Sequence, residues 1–316
     1  MRAPIRFTAG ALVATGVALP IIRRRFGVPR PVVLASTAGA PLGAAVLMPP
    51  GRARNVTVCC LQMWGYFTAY EMPNDDPEAL AARVHIQYPI DVDRVLGLGR
   101  VPSQRLQRAF STEGRINRFE RVLVWCHWVW FPVPHAALLY VLMRRPERFG
   151  PAAARVYATF DLGAVVYWLV PTAPPWWAAR QGYLGHEDPL PVRRMMREYG
   201  EEFWKSRWDA LFQALGGNPL AAMPSMHFAS SVMAARALAE VGPVAGAVGW
   251  AYAGTLGLAL VYLGEHYAVD LVAGGLLAGL VRRGGRRLGR PAQVLVKTVD
   301  TLGRVAAGDP TRSYTF

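Results

Sequence analysis

Two short polar stretches, PSMHF at 224–228 and GEHYAVDLVAG at 264–274, stand at the heads of apolar runs. Titratable side chains are costly where a segment is about to enter hydrocarbon, so His227, His266 and Asp270 need a reason to be there. His266 and Asp270 are four positions apart. On a helix that spacing puts them on one face, about 6 Å apart along the axis, close enough for the carboxylate to hold one imidazole nitrogen. The other nitrogen is left basic. One histidine oriented by a carboxylate, with a second histidine opposite, is the equipment for attack at phosphorus with proton donation to the leaving oxygen. Either histidine alone reads equally well as an interfacial anchor; the pair at matching depth favours chemistry.

The elements that must position these groups are membrane helices. The chain has 316 residues, 53% hydrophobic and 18% charged, with a formal net charge of +14, which is too apolar for an ordinary soluble enzyme of this size. Lys205 and Lys297 are the only lysines; the basic charge is almost wholly guanidinium, suited to phosphate but also a common compositional bias. Cys59, Cys60 and Cys126 lie in apolar runs, with no disulfide or zinc spacing. MRAPIR followed by FTAGALVATGVALPII has the head and apolar run of a secretory signal. RRRF then stands where a small-residue cleavage site is expected, so the segment reads as a retained anchor.

About 20 apolar residues cross a bilayer as a helix. Candidate spans are 7–22, 32–49, 55–70, 121–143, 153–171, 226–241, 244–263 and 266–281. Arg144, Arg145, Arg148 and Arg155 form one basic cluster and Arg282, Arg283, Arg286, Arg287 and Arg290 another, separated by the last four spans. The positive-inside rule makes both clusters cytoplasmic. The 172–224 loop, His227 and His266 then share the outer boundary. Counting back puts RRRFGVPR (23–30) outside, against the same rule. A re-entrant or interfacial 32–49, interrupted at Pro41 and Gly43, would bring Arg23–Arg30 together with Arg52 and Arg54 on the inner face.

PSMH at 224–227 and YLGEHYAVDLVAG at 262–274 resemble the second and third signature motifs of the type 2 phosphatidic acid phosphatase superfamily, the membrane lipid phosphatases and phosphotransferases. YWLVPTAPPWW at 167–177 resembles the proline-rich segment of the inositol phosphorylceramide synthase-like branch. The upstream stretches 88–110 and 125–135 are similar to actinobacterial members. The resemblance implies an all-α, polytopic membrane bundle with a six-helix core plus extra N-terminal helices, and a reaction needing no metal or other cofactor. Carried over, His266 is the nucleophile that forms a phosphohistidine, Asp270 orients it, His227 is the general acid, and Ser225 with nearby amides binds phosphate at a helix start.

Two departures follow. The superfamily's first motif has no match here, and Leu260 stands where an arginine usually precedes the third-motif histidine. A phosphoryl group needs cationic donors, so substitutes are sought among Arg180, Arg193, Arg194, Arg197, Lys205 and Arg207, with Arg180 and Lys205 first. The bland reading of 192–208 is an interfacial helix whose arginines meet head groups and pair with Glu198, Glu201 and Glu202. Met226 replaces the usual glycine. His127 and His135 read as packed residues rather than catalytic ones.

The expected organisation is an anchor over 1–54, a catalytic membrane domain over 55–290 and a cytoplasmic tail over 291–316. The expected partner is a lipid phosphate or phospholipid, not a nucleic acid, at the plasma membrane with the site outside; the oligomeric state stays open. Three functions remain: lipid phosphate phosphatase, head-group phosphotransferase, or a lipid-binding module without catalysis.

Overall fold

The computed structural model of the chain describes residues 2–112, 114–184, 192–210, 217–287 and 289–308, with backbone alone over 286–293. The described residues form helices and turns without a β-strand, in two compact units, Met1–Asp75 with Arg282–Phe316 and Asp76–Val281.

The first unit contains α1 (Arg2–Phe26), α2 (Arg30–Leu47), α3 (Arg52–Glu71) and, at its C-terminal end, α15 (Gly289–Ala307). Gly27, at φ +61°, turns the chain between α1 and α2, and Pro29 at the N-cap and Pro31 in the first turn of α2 suit a helix start. A Cβ at Gly16 would lie 2.5 Å from Ser36 O, and one at Gly43 2.5 Å from Ala9 O. Small residues therefore let the two backbones approach closely, the usual device of helix pairs in lipid. The amphipathic α15 packs on both, with Ala306 against Ala9 and Val46.

The re-entrant reading of 32–49 is corrected here. α2 runs unbroken through Pro41 and Gly43 over 18 residues, about 27 Å. Arg23–Arg30 and Arg52 therefore stand at opposite ends of it. The basic end of α1 meets acidic partners instead: Arg23 pairs with Asp75 at 3.0 Å and Glu71 at 3.8 Å, and Arg24 with Asp75 at 2.6 Å. At the other end Arg54 pairs with Asp300 at 2.8 Å.

The second unit holds α4 (Pro77–Ala81), α5 (Gln87–Leu96), α6 (Pro102–Phe110), α7 (Arg118–Trp128), α8 (Pro132–Arg144), α9 (Pro146–Leu169), α10 (Pro175–Arg180), α11 (Met195–Trp204), α12 (Met226–Val241) and α13 (Pro243–Tyr262), with α14 (Ala268–Arg287) starting within it. An Asn117–Glu120 capping box starts α7, and Pro132 and Pro134 open α8 after a break of three residues. α12 packs on α8, α9 and α13. A Cβ at Gly249 would sit 2.8 Å from Ala235 Cα, so α12 and α13 also meet through small residues.

Seven of the eight expected spans each fall on one helix, to within two residues at the ends, whereas 121–143 divides into α7 and α8. α1, α2 and α13 are by themselves long and apolar enough to cross a membrane, and α7 with α8, bent by 59°, makes a fourth. The protein is an all-α membrane helical bundle. His85, Thr172 and Ala221 form isolated parallel bridges, tying the segments that lead into α5, α10 and α12.

Candidate active site

The chain leaves α13 at Tyr262 and turns at Gly264, φ +78°. A Cβ there would lie 2.7 Å from Val192 Cγ1 and 2.8 Å from Arg193 O, so both the conformation and the space demand glycine. Glu265 N and His266 N both donate to Leu260 O, and Trp176 N donates to Gly264 O. The buried Gln107 amide donates to Tyr262 O at 2.8 Å and Arg193 O at 2.9 Å and accepts from Arg193 N at 2.8 Å. These bonds fix the 262–266 loop before any helix begins.

His266 therefore precedes α14 rather than lying on it, which corrects the shared-face expectation. The contact forms all the same, because Asp270 turns back over the helix start. Its Oδ2 lies 3.0 Å from His266 Nδ1 and accepts Tyr267 N at 2.9 Å. Both side chains are buried, Asp270 completely. A second carboxylate caps the same helix from outside: Asp93 of α5 accepts Ala268 N at 2.9 Å and Val269 N at 2.8 Å. Burial pushes the Asp93 carboxyl up to about 6 against the pull of those two amides.

His227 is placed by a different set of contacts. Ser225 caps α12, its Oγ accepting Phe228 N at 3.3 Å, and Ser225 N donates to Asp270 O at 2.9 Å. A Cβ at Gly274 would be 2.6 Å from Ser225 O, so the starts of α12 and α14 touch backbone to backbone. Tyr167 of α9 donates to Pro224 O at 2.8 Å. Met226 fills the space left by Gly163, where any Cβ would overlap its sulfur. The result is that His227 Nδ1 lies 3.1 Å from His266 Nε2. Asp270, His266 and His227 form one continuous hydrogen-bonded chain.

Two more rings join this group: His127, which reads from the sequence as a packed residue, and Trp130, which no sequence feature singles out. His127 stacks on His227 at 4.8 Å between centroids and 28°, and Trp130 lies 4.1 Å from the same ring. The packing expectation suits His135, whose Nδ1 meets Phe131 O at 2.8 Å and whose ring stacks near Phe160; it misses the contact His127 makes. No spacing in the sequence links 127 to 227.

Among the cations considered, Arg194 reaches this neighbourhood. It binds Glu265, the residue before His266, at 3.0 Å and 3.4 Å, and its guanidinium lies 3.8 Å over the Trp176 ring. Arg193 is held by Glu198 and Arg197 by Glu201 at 2.7 Å. Arg180 ends α10 and Lys205 follows α11, both exposed; the structure brings neither into hydrogen-bond contact with Ser225, His227, His266 or Asp270. α11 forms as the amphipathic reading of 192–208 expects.

With Asp270 on Nδ1, His266 turns Nε2 toward His227, which lies within hydrogen-bond reach of it. Comparison with known proteins bears on this arrangement. The model of the PAP2 superfamily matches residues 90–282. A Candida albicans protein named inositol phosphorylceramide synthase is similar, 26% identical over 162 residues. That match covers 48% of this chain and 33% of the yeast protein, so the chain spans about a third of the relative's length. No solved structure matches.

Proposed function

From the premise that the chain belongs to the PAP2 superfamily, we propose that it removes or transfers a phosphate group on a membrane lipid through a phosphohistidine on His266. The observation that carries this is the chain Asp270–His266–His227, with contacts of 3.0 Å and 3.1 Å. The lone pair of His266 Nε2 attacks phosphorus as the bond to the lipid oxygen breaks, and His227 gives its proton to that oxygen. Asp270 holds the imidazole that has become cationic. His227, now neutral, takes a proton from the acceptor that attacks the phosphohistidine, and the enzyme is restored. The resting 3.1 Å contact leaves no room for phosphorus, so His227 moves off Nε2 as substrate arrives.

Water as acceptor makes the protein a lipid phosphate phosphatase. A lipid hydroxyl makes it a head-group transferase, a reading favoured by the likeness to the Candida albicans protein named inositol phosphorylceramide synthase. Arg194 is the cation we assign to phosphate oxygens ahead of Arg180 and Lys205, since it already binds a carboxylate beside the nucleophile. Ser225 lends its O–H while its oxygen caps the helix. The arginine clusters at 144–155 and 282–283 support a site on the outer face of the cell membrane.

The test is turnover of a lipid carrying labelled phosphate by purified protein, with and without an added alcohol acceptor. Label released to water, unaffected by EDTA and lost in His266→Ala, is the expected result. Label passing to the acceptor selects the transferase. Lipid binding without turnover across a broad panel leaves only a non-catalytic module.

A further inference from the structure

α7 and α8 meet at a 59° bend, and the stretch WCHWVWF at 125–131 occupies it. The bend is fixed on several sides. Tyr252 of α13 donates to Cys126 O at 3.0 Å, and Trp128 stacks on Tyr199 at 5.5 Å and 21°. Trp130 Nε1 donates at 2.9 Å to Ser230 Oγ, which is anchored to Met226 O at 2.7 Å on the helix that carries His227. Between these anchors two rings reach His227, His127 at 4.8 Å and Trp130 at 4.1 Å. His127 Nδ1 is buried and makes no hydrogen bond, so what holds this ring is its packing.

We infer that His127 and Trp130 are positioning residues: their rings, delivered by the bend, orient His227 and offer aromatic faces to its imidazolium. A general acid must carry its proton when the leaving oxygen departs, and a cation among apolar helices is costly. Aromatic faces within about 6 Å of a cation offset part of that cost. Two stacked imidazoles resist being charged together, so His127 acts as a neutral ring. The titratable groups acting on His227 are His127 from α7 and His266 from the loop before α14. Glu265 and Arg194 act on His127, and Asp270 binds His266. On the helices packed against α12, His135 is bonded to Phe131 O, Tyr167 to Pro224 O and Tyr252 to Cys126 O.

The inference rests on the acid role proposed for His227, and two readouts keep them apart. In full-length protein in detergent, a protonated imidazole quenches a neighbouring indole. Emission should therefore rise as pH increases, and that rise should vanish in both Trp130→Phe and His227→Asn. In turnover, Trp130→Leu and His127→Ala should lower kcat about 10- to 100-fold with little change in KM, as misplacement of a catalytic group does. Their acid limb should also move. His127→Phe, which keeps a ring, should stay within about 5-fold of wild type. Wild-type kcat and pH profile in His127→Ala and Trp130→Leu, with His227→Asn inactive, would overturn the inference and leave the function standing. An emission titration untouched by either Trp130→Phe or His227→Asn overturns it without reference to activity, which covers a Trp130→Leu protein that does not fold. His227→Asn retaining full turnover removes the acid role itself.

Discussion

The two imidazoles of the site are held in opposite ways. His266 is fixed by its own neighbourhood: the Gly264 turn, two amides on Leu260 O, and Asp270 four positions on. His227 is fixed from far away, by Tyr167 through Pro224, by Gly163 under Met226 and by the rings of His127 and Trp130. The geometry of His266 is thus written in one short segment. That of His227 is written across α7, the bend after it, α9 and α12, so in the proposed mechanism it is the easier imidazole to move when phosphorus enters.

The largest effect should come from breaking the local segment. His266→Ala is expected to lower kcat by about 10³-fold or more, and Asp270→Asn by about 10²-fold, because the wrong ring nitrogen is then presented. Single-turnover assays with labelled lipid measure both. Gly264→Ala comes next, costing about 1–3 kcal/mol through the strained φ and the contact with Arg193 O, read as a lowered thermal midpoint in detergent.

On the distant side, Gly163→Ala should cost about 1–3 kcal/mol by overpacking against Met226. Adding Met226→Ala should recover much of it, which distinguishes this contact from a general packing defect. Arg194→Ala should raise KM about 10-fold, more than Arg180→Ala or Lys205→Ala, by loss of a charge-assisted contact.

The smallest effect is on pH. The Asp93 carboxyl is raised on folding from its ordinary 3.8 to about 6. Between those values the folded protein binds more protons than the unfolded chain, so this group's contribution to stability falls as pH rises through the window and is level above it. Thermal midpoints from pH 4 to 7 should show that decline, and Asp93→Asn should remove it.

A second contrast concerns charge. The basic run at the end of α1 sits awkwardly with the positive-inside count, and two of its arginines, Arg23 and Arg24, are paired with Asp75. The rule weighs charge in sequence, whereas Asp75 lies 52 positions from Arg23. The helices were legible because long apolar runs mark them, although among the described residues α1, α2, α13 and the α7–α8 pair are the ones long and apolar enough to cross a membrane. The bend between α7 and α8 was legible only as a proline-bearing aromatic stretch. His127 could not be separated from a packed histidine, since its partner on α12 is remote. Met226 stood out as a departure, but its reason lies in Gly163, where only packing tells.

The sequence by itself determined the helical membrane architecture and the chemical groups of the site, because apolar length and a four-residue spacing are local properties. The tertiary structure alone decided that Arg194 binds Glu265 next to His266, that His266 precedes its helix, and which rings pack on His227. Trp130 and Ser230, for example, are 100 positions apart. Contacts of that reach depend on how helices pack, and no periodicity within one segment records them.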